Sequence, residues 1–397
     1  MKLQQSLRLF FALTALILLT LGVQPSRALE DPLRIGASIS FSGRYRDPAQ
    51  MLLRGYTLWA EELNAEGGLL GRPVELVIRD DESKPEKTRE IYQTLIEEEE
   101  VDLVLSPYGT PLTLAASEVT EQAGYVMIAS AAAGSILWQR GHRYLFGLYV
   151  PADRFFIGYL DLVAREGMER VGILYEENPF NRDAAAGAAR WAKRFGLDVA
   201  VHAGFQPGTS ERRSLIEKLR TAGVQAGIIC SYSDEGYALL EAIEKVGWQP
   251  AALSMAITPV HPAFSQRAGT QAEGIFAPSQ WEPRAGIPFP GTSHFIELYK
   301  NAYGSTPSYH ATTGYATGEI LSQALRSLQR IDHSGMRRYI MSLDTVTVLG
   351  RFKVNEEGRQ VGHNALTIQW QDGRKEIVYP PRLRTAPPRL SGTGEAE

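Results

Sequence analysis

The stretch LRIGASIS at residues 33–40 is a short, nearly continuous apolar run, and the residues immediately after it decide the architecture. Ala49, Leu52, Leu53, Tyr56, Trp59, Ala60 and Leu63 recur at helical spacing, Gly67-Gly68 ends that helix, and VELVIRD at 74–80 opens a second extended run. A strand, an amphipathic helix and another strand in that order are the pattern of a parallel βαβ unit. The alternation continues through a helix at 85–98, a strand at 103–106, a helix at 112–122 and a strand at 126–129. A second cycle starts near Val150, with helices at 152–166, 182–195, 212–221 and 235–246 and strands at 171–175, 199–203, 227–230 and 252–254. The expected fold class is therefore α/β, with two doubly wound, Rossmann-like lobes of similar size. Ligands of such sheets bind beyond the carboxyl ends of the strands. The last third is less regular: a helix is expected at 311–328 and strands, several antiparallel, at 346–349, 351–354, 365–370 and 376–378.

A chain of 397 residues, 44% hydrophobic and 22% charged, has the length and composition of a two-domain globular protein. Its first 28 residues read as a targeting segment instead of part of the fold. Lys2 and Arg8 precede an apolar run at 9–23, and Ser26-Arg27-Ala28 offers a small-x-small cleavage site, so a signal peptide cut after Ala28 is expected. The alternative is an uncleaved anchor, for which the run is short against the roughly 20 residues of a membrane span. No cysteine stands directly after the run, which excludes a lipid anchor there. An exported, periplasmic protein is the expectation. Removing the three basic residues of this segment from a chain of net charge −4 leaves −7. Nucleic-acid binding, which needs a basic face, is excluded on that ground. The single cysteine, Cys230, excludes a disulfide framework, an iron–sulfur cluster and a cysteine-rich zinc site. The tail from Pro380, rich in Pro, Gly and Arg and then acidic, is expected to be disordered.

Catalytic motifs are missing. No G-x-G-x-x-G opens a helix, and there is no Walker A pattern, no H-E-x-x-H and no G-x-S-x-G elbow; Gly291-Thr292-Ser293-His294-Phe295 lacks the second glycine. The seven histidines are scattered singly and read as surface or loop residues. The acidic runs Asp80-Asp81-Glu82 and 97–100 lack calcium-loop spacing and read as solvated surface. Two lobes without a catalytic constellation point to binding without turnover, with no metal and no cofactor.

Particular residues carry a family likeness. IGASISFSG at 35–43, Gly55, EELNAEGGLLGRPVEL at 61–76, Asp80-Asp81 and VDLVL at 101–105 resemble the first lobe of the type I periplasmic solute-binding proteins. More narrowly, they are similar to the leucine/isoleucine/valine-binding and amide-binding branch that serves ABC importers. The likeness runs from about Leu33 to about Val378 and is strongest before residue 140. The part at 64–71 joins a helix stop, a glycine turn and a strand entry, and its role is structural. The resemblance implies a monomeric clamp whose lobes are joined by a three-stranded hinge. Crossovers would fall near 148–149, 277–278 and 345–346, giving lobes of 29–148 with 278–345 and 149–277 with 346–379. A small solute would be held between the lobes and passed to an inner-membrane permease. The alternative is a sensor subunit on the same clamp that signals to a membrane kinase. Ligand in contact with both lobes shifts the hinge equilibrium by its differential affinity.

The same resemblance implies where the solute sits. Tyr108-Gly109-Thr110 stands at the first cleft loop, before a helix start whose amides and hydroxyl would hold a carboxylate or amide oxygen, unless Thr110 only caps that helix. Ser130, Ala131 and Ala133 stand at the second, where the family commonly has Ser-x-Ala-Thr, so one hydroxyl is replaced by Ala133. In the far lobe Phe180-Asn181 replaces Tyr-Gly, and Ile257 lies where amino-acid binders tend to carry the acid that pairs the ligand ammonium. An unpaired buried ammonium is costly. The loss argues against an ordinary amino acid unless Asp234, in a neighbouring loop, substitutes; the alternative is that Asp234 merely caps its helix. Tyr45, Tyr108, Tyr149, Tyr232 and Trp281 are candidate aromatic walls.

Overall fold

The computed structural model describes residues 31–284 and 286–390, so the expected signal segment at 1–28 lies outside the described residues. The first half runs β1 (Leu33–Ile39), α1 (Arg46–Ala65), β2 (Val74–Asp80), α2 (Pro85–Gln93), β3 (Leu103–Val104), α3 (Thr110–Ala123), β4 (Met127–Ala129) and β5 (Leu145–Gly147). Strands β2, β1 and β3 form a parallel sheet in that order, and β4 pairs in parallel with β5. In β1, Leu33, Ile35, Ala37 and Ile39 are fully buried and so are Ser38 and Ser40. Helices cover both faces of such a strand, which is why its sequence is a run and not an alternation. The turn at 64–71 has the structural role expected of it. Asn64 donates to the Val74 carbonyl (2.9 Å) and accepts from the Val74 amide (2.6 Å), while a Cβ on Gly68, at φ 87°, would sit 2.1 Å from the Arg72 oxygen.

The second cycle comprises α4 (Ile157–Arg165), β6 (Arg170–Glu176), α5 (Pro179–Arg194), β7 (Asp198–Phe205), α6 (Arg212–Thr221), β8 (Ala226–Cys230), α7 (Ser233–Val246), β9 (Ala252–Met255) and β10 (Phe276–Ser279). Three helices, α8 (Thr292–Tyr303), α9 (Tyr309–Leu328) and α10 (His333–Ser342), then precede β11 (Asp344–Thr347), β12 (Gly350–Lys353), β13 (Leu366–Gln371) and β14 (Arg374–Tyr379). The second sheet has the order β14-β13-β10-β9-β8-β6-β7, parallel from β10 to β7 and antiparallel at β13 and β14. The molecule is thus two α/β lobes, each built on its own sheet.

The chain returns to the first lobe through α9, which packs along α1. A Cβ on Gly55 would lie 1.9 Å from the Ala311 carbonyl oxygen, so only glycine permits that helix approach. The third passage between sheets comes later than expected near 345–346: β11 and β12 form their own hairpin, the Val348 amide donates to Glu319 (2.9 Å), and the chain rejoins the second sheet only at Leu366. Short strands β5 and β10 and helices α8 and α10 had no counterpart in the sequence expectations. The tail also differs from the expected disorder. Through residue 390 it is tied to β13: Gln369 exchanges hydrogen bonds with both backbone groups of Arg389, and Gln371 donates to the Pro387 carbonyl. Residues 391–397 lie outside the described residues.

Candidate functional site

Strand-end loops of the two sheets face each other. After β3, Gly109 adopts φ 86° and ψ 152°, a conformation that side-chain-bearing residues rarely take, and its amide donates to the Ala131 carbonyl (3.1 Å). This stitches the first loop to the one after β4. Thr110 opens α3, and its Oγ1 accepts from the Gly134 amide (3.1 Å), so the hydroxyl ties the two loops together instead of capping its own helix. Pro111 has no N–H, so the amides of α3 left without an intrahelical partner at its start are those of Thr110 and Leu112. From the second sheet come Phe180 at the start of α5, Tyr232 just before α7, and Ile257 after β9.

Tyr108, Gly109, Thr110, Ala131, Ala133, Tyr149, Phe180, Tyr232 and Ile257, all singled out from sequence, line one cavity together with Phe155 and Tyr309. Its rings form a chain of contacts: Phe155 and Phe180 have centroids 5.5 Å apart, Phe180 and Tyr232 6.0 Å, Tyr149 and Tyr309 5.7 Å. Its volume is only ≈ 10 Å³, about the room one water needs. Anything larger enters only if rings rotate or the walls part. Burial pushes the phenols of Tyr108, Tyr149, Tyr232 and Tyr309 well up, so each stays neutral and able to donate.

Four candidates fall elsewhere. Asp234 has a side chain 81% exposed, 4.0 Å from Arg267, and is not among the residues that line the cavity. Ser130 Oγ is saturated by Tyr56 and Thr317 (2.7 Å each) and by the Ile128 carbonyl, a buried network with nothing left for a ligand. Trp281 is fully buried against Phe295, and Tyr45 packs edge-on behind Tyr232 (5.0 Å). Their side chains point into the core, a direction that residue type and loop position do not specify.

Other residues escaped sequence reasoning. His310, expected on the surface with the other histidines, is buried and bonds Tyr149 Oη through Nδ1 (2.7 Å). Burial holds its imidazole down at about 3, so it is neutral at physiological pH. Glu176, at the carboxyl end of β6, is completely buried; it accepts from the Tyr232 amide (3.1 Å) and Asn178 (3.2 Å) and pairs with Arg44 from the other lobe. The Arg44 guanidinium lies 4.9 Å from the Tyr232 ring centre. Strand-end position alone could have flagged Glu176. On the same side, Asn181, Ser231 and Thr258 carry buried polar side-chain atoms with no hydrogen-bond partner. Among the described residues no group of three or more His, Cys, Asp or Glu side chains is placed to hold a metal.

The chain as a whole has parallels among known proteins. The model of the family described as periplasmic binding protein matches residues 32–375. Leu/Ile/Val-binding protein homolog 8 of Brucella abortus (strain 2308) is 26% identical over 388 residues, 91% of this chain and 94% of the relative. Among solved structures, the branched-chain amino acid transporter substrate binding protein of Streptococcus pneumoniae, in complex with isoleucine, superposes with a TM-score of 0.79 at 18% identity, covering 87% of this chain and 98% of that one. A Rhodopseudomonas palustris ABC transporter solute binding protein in complex with benzoate gives 0.74 at 17% identity, covering 87% and 95%.

Proposed function

We propose, because the chain belongs to the periplasmic binding protein family, that it is the exported solute receptor of an ABC importer and delivers a small carboxylate or amide to an inner-membrane permease. Members of this family bind solutes and release them unchanged. One lobe comprises the described residues up to 148 together with 280–353, the other 149–279 with 366–379, a division supported by sheet membership. Met1 to Ala28 is its cleavable export signal, and the mature chain is a monomer.

The observation that carries the solute class is the charge of the cavity lining. Its walls are tyrosine, phenylalanine, isoleucine, threonine, alanine and glycine, with no carboxylate among them. Glu176, the buried acid that accepts from the Tyr232 amide, is already matched to Arg44. A ligand ammonium would be desolvated without a partner, whereas a ligand carboxylate or amide oxygen meets the α3 amides and neutral phenols. The solute is therefore a small carboxylate or amide with an apolar or aromatic body and no free amine. The benzoate complex of the R. palustris protein sets a precedent within the fold.

Calorimetry with benzoate, phenylacetate, isobutyramide, leucine and isoleucine tests this, with recovered ligand checked by mass spectrometry. Binding of an amine-free compound, returned intact, at least ten times tighter than leucine is expected. Tighter binding of leucine would overturn the solute class, and chemical conversion would overturn the receptor role.

A further inference from the structure

A second cavity, of ≈ 420 Å³ and sharing no residue with the aromatic one, opens where two passages of the chain between the lobes run side by side. The first passage follows β5 and the other lies between β12 and β13; the Gly147 amide donates to Gly358 (2.8 Å), and Gln360 to the Leu148 carbonyl (3.3 Å). The second half of α5 completes the wall. Four guanidinium groups line this space, from Arg154, Arg190, Arg194 and Arg359, with Asp153 as the single acid and Trp191 as an aromatic floor.

The charges do not balance. Asp153 bridges Arg190 (3.0 Å) and Arg359, fixing both side chains in place. Arg154 donates only to the neutral amide of Asn364 (2.9 Å), and Arg194 lies over the Trp191 ring at 5.1 Å. Among the described residues neither has a carboxylate within ion-pair distance, and Arg359 Nε is buried with no hydrogen-bond partner. Among the lining residues positive charge exceeds negative by three, with Asp183 behind them also within electrostatic reach of Arg359, in a chain whose net charge is −4. Like charges held together repel, and planar guanidinium forks match oxyanions bidentately.

We propose that this cavity binds a small polyanion, a di- or tricarboxylate or a phosphate, as a site separate from the solute cleft. A monoanion would leave most of the excess charge in place, so affinity should climb with ligand charge. Because the walls belong to two chain passages between the lobes, the bound anion would clasp them to α5.

Titration calorimetry of the intact protein with citrate, inorganic phosphate and acetate, at constant ionic strength, tests the site. Saturable binding of citrate or phosphate at least tenfold tighter than acetate is expected. The variants Arg154→Gln and Arg194→Gln should each weaken it at least tenfold, with thermal midpoint in plain buffer unchanged. Absence of saturable binding by either polyanion would overturn the proposal, as would equal affinity for acetate or full binding by both variants. Solute binding in the aromatic cleft reads out independently of either result.

Discussion

The two walls of the aromatic cavity differ in how their polar groups are satisfied. On and behind the first wall, Ser106, Ser130, Tyr56, Thr317, Thr110 and the Tyr149 and His310 pair all have internal partners. Behind the second, Asn181, Ser231 and Thr258 bury polar atoms without one, whereas Glu176 is fully engaged. Buried polar groups are almost always paired, and a fully satisfied network rigidifies its surroundings. The first wall is therefore a preformed platform, whereas the second is backed by buried groups with hydrogen-bonding capacity to spare.

The largest effect should come from loosening the platform where α1 and α9 meet. Gly55→Val places methyl groups against the Ala311 carbonyl, which a Cβ alone would approach to 1.9 Å. Overpacking against backbone should cost about 3 kcal/mol or more, read as a fall in urea midpoint or as loss of soluble protein. Wild-type stability would show that α9 is not a fixed element.

A matched pair of substitutions probes the contrast itself. Ser130→Ala strips partners from Tyr56 and Thr317, and should destabilise by about 1–3 kcal/mol in chemical denaturation. Asn181→Leu removes a buried polar group that has no partner to lose. It should leave stability within about 0.5 kcal/mol of wild type or raise it, while weakening solute binding. Equal losses from both substitutions would erase the distinction between the walls.

The smallest effects near neutrality are titrations on α9. His310 is held down at about 3 in the folded protein, so below its ordinary value of about 6.5 the unfolded chain binds more protons and stability falls as pH drops. From pH 7 to 6 the loss is under about 1 kcal/mol and it grows toward pH 4. Glu319, raised to about 7 chiefly by burial, acts oppositely. Between about 4.5 and 7 the folded state holds the extra proton, so stability falls as pH rises. Thermal midpoints across pH 4–8 should lose the first slope in His310→Gln and the second in Glu319→Gln; an unaltered profile in either variant would contradict its assignment.

Nine cavity-lining residues were legible in the sequence because the family likeness implied them, and they stand at strand ends, where ligands of doubly wound sheets collect. Ser130 and Trp281 were misjudged because a loop position does not say which way its side chain points; one joined a hydroxyl network and the other the core. Asp234 was misjudged for a related reason: it lies on the outward face of α7's first turn, towards Arg267 and solvent. Phe155 and Tyr309 were missed because periodicity marks them only as packed, and His310 because its one link to the cavity is the hydrogen bond to Tyr149.

Local rules thus suffice for what depends on neighbours along the chain: the alternation of strands and helices and the glycine turn at 64–71. Only the tertiary structure decided which charges meet. Arg44 and Glu176 are separated by 132 residues, and Arg359 and Asp153 by 206. Pairing across such distances follows from how two sheets and their crossovers pack, because a side chain's electrostatic partner is set by proximity in space, which no local pattern of residues encodes.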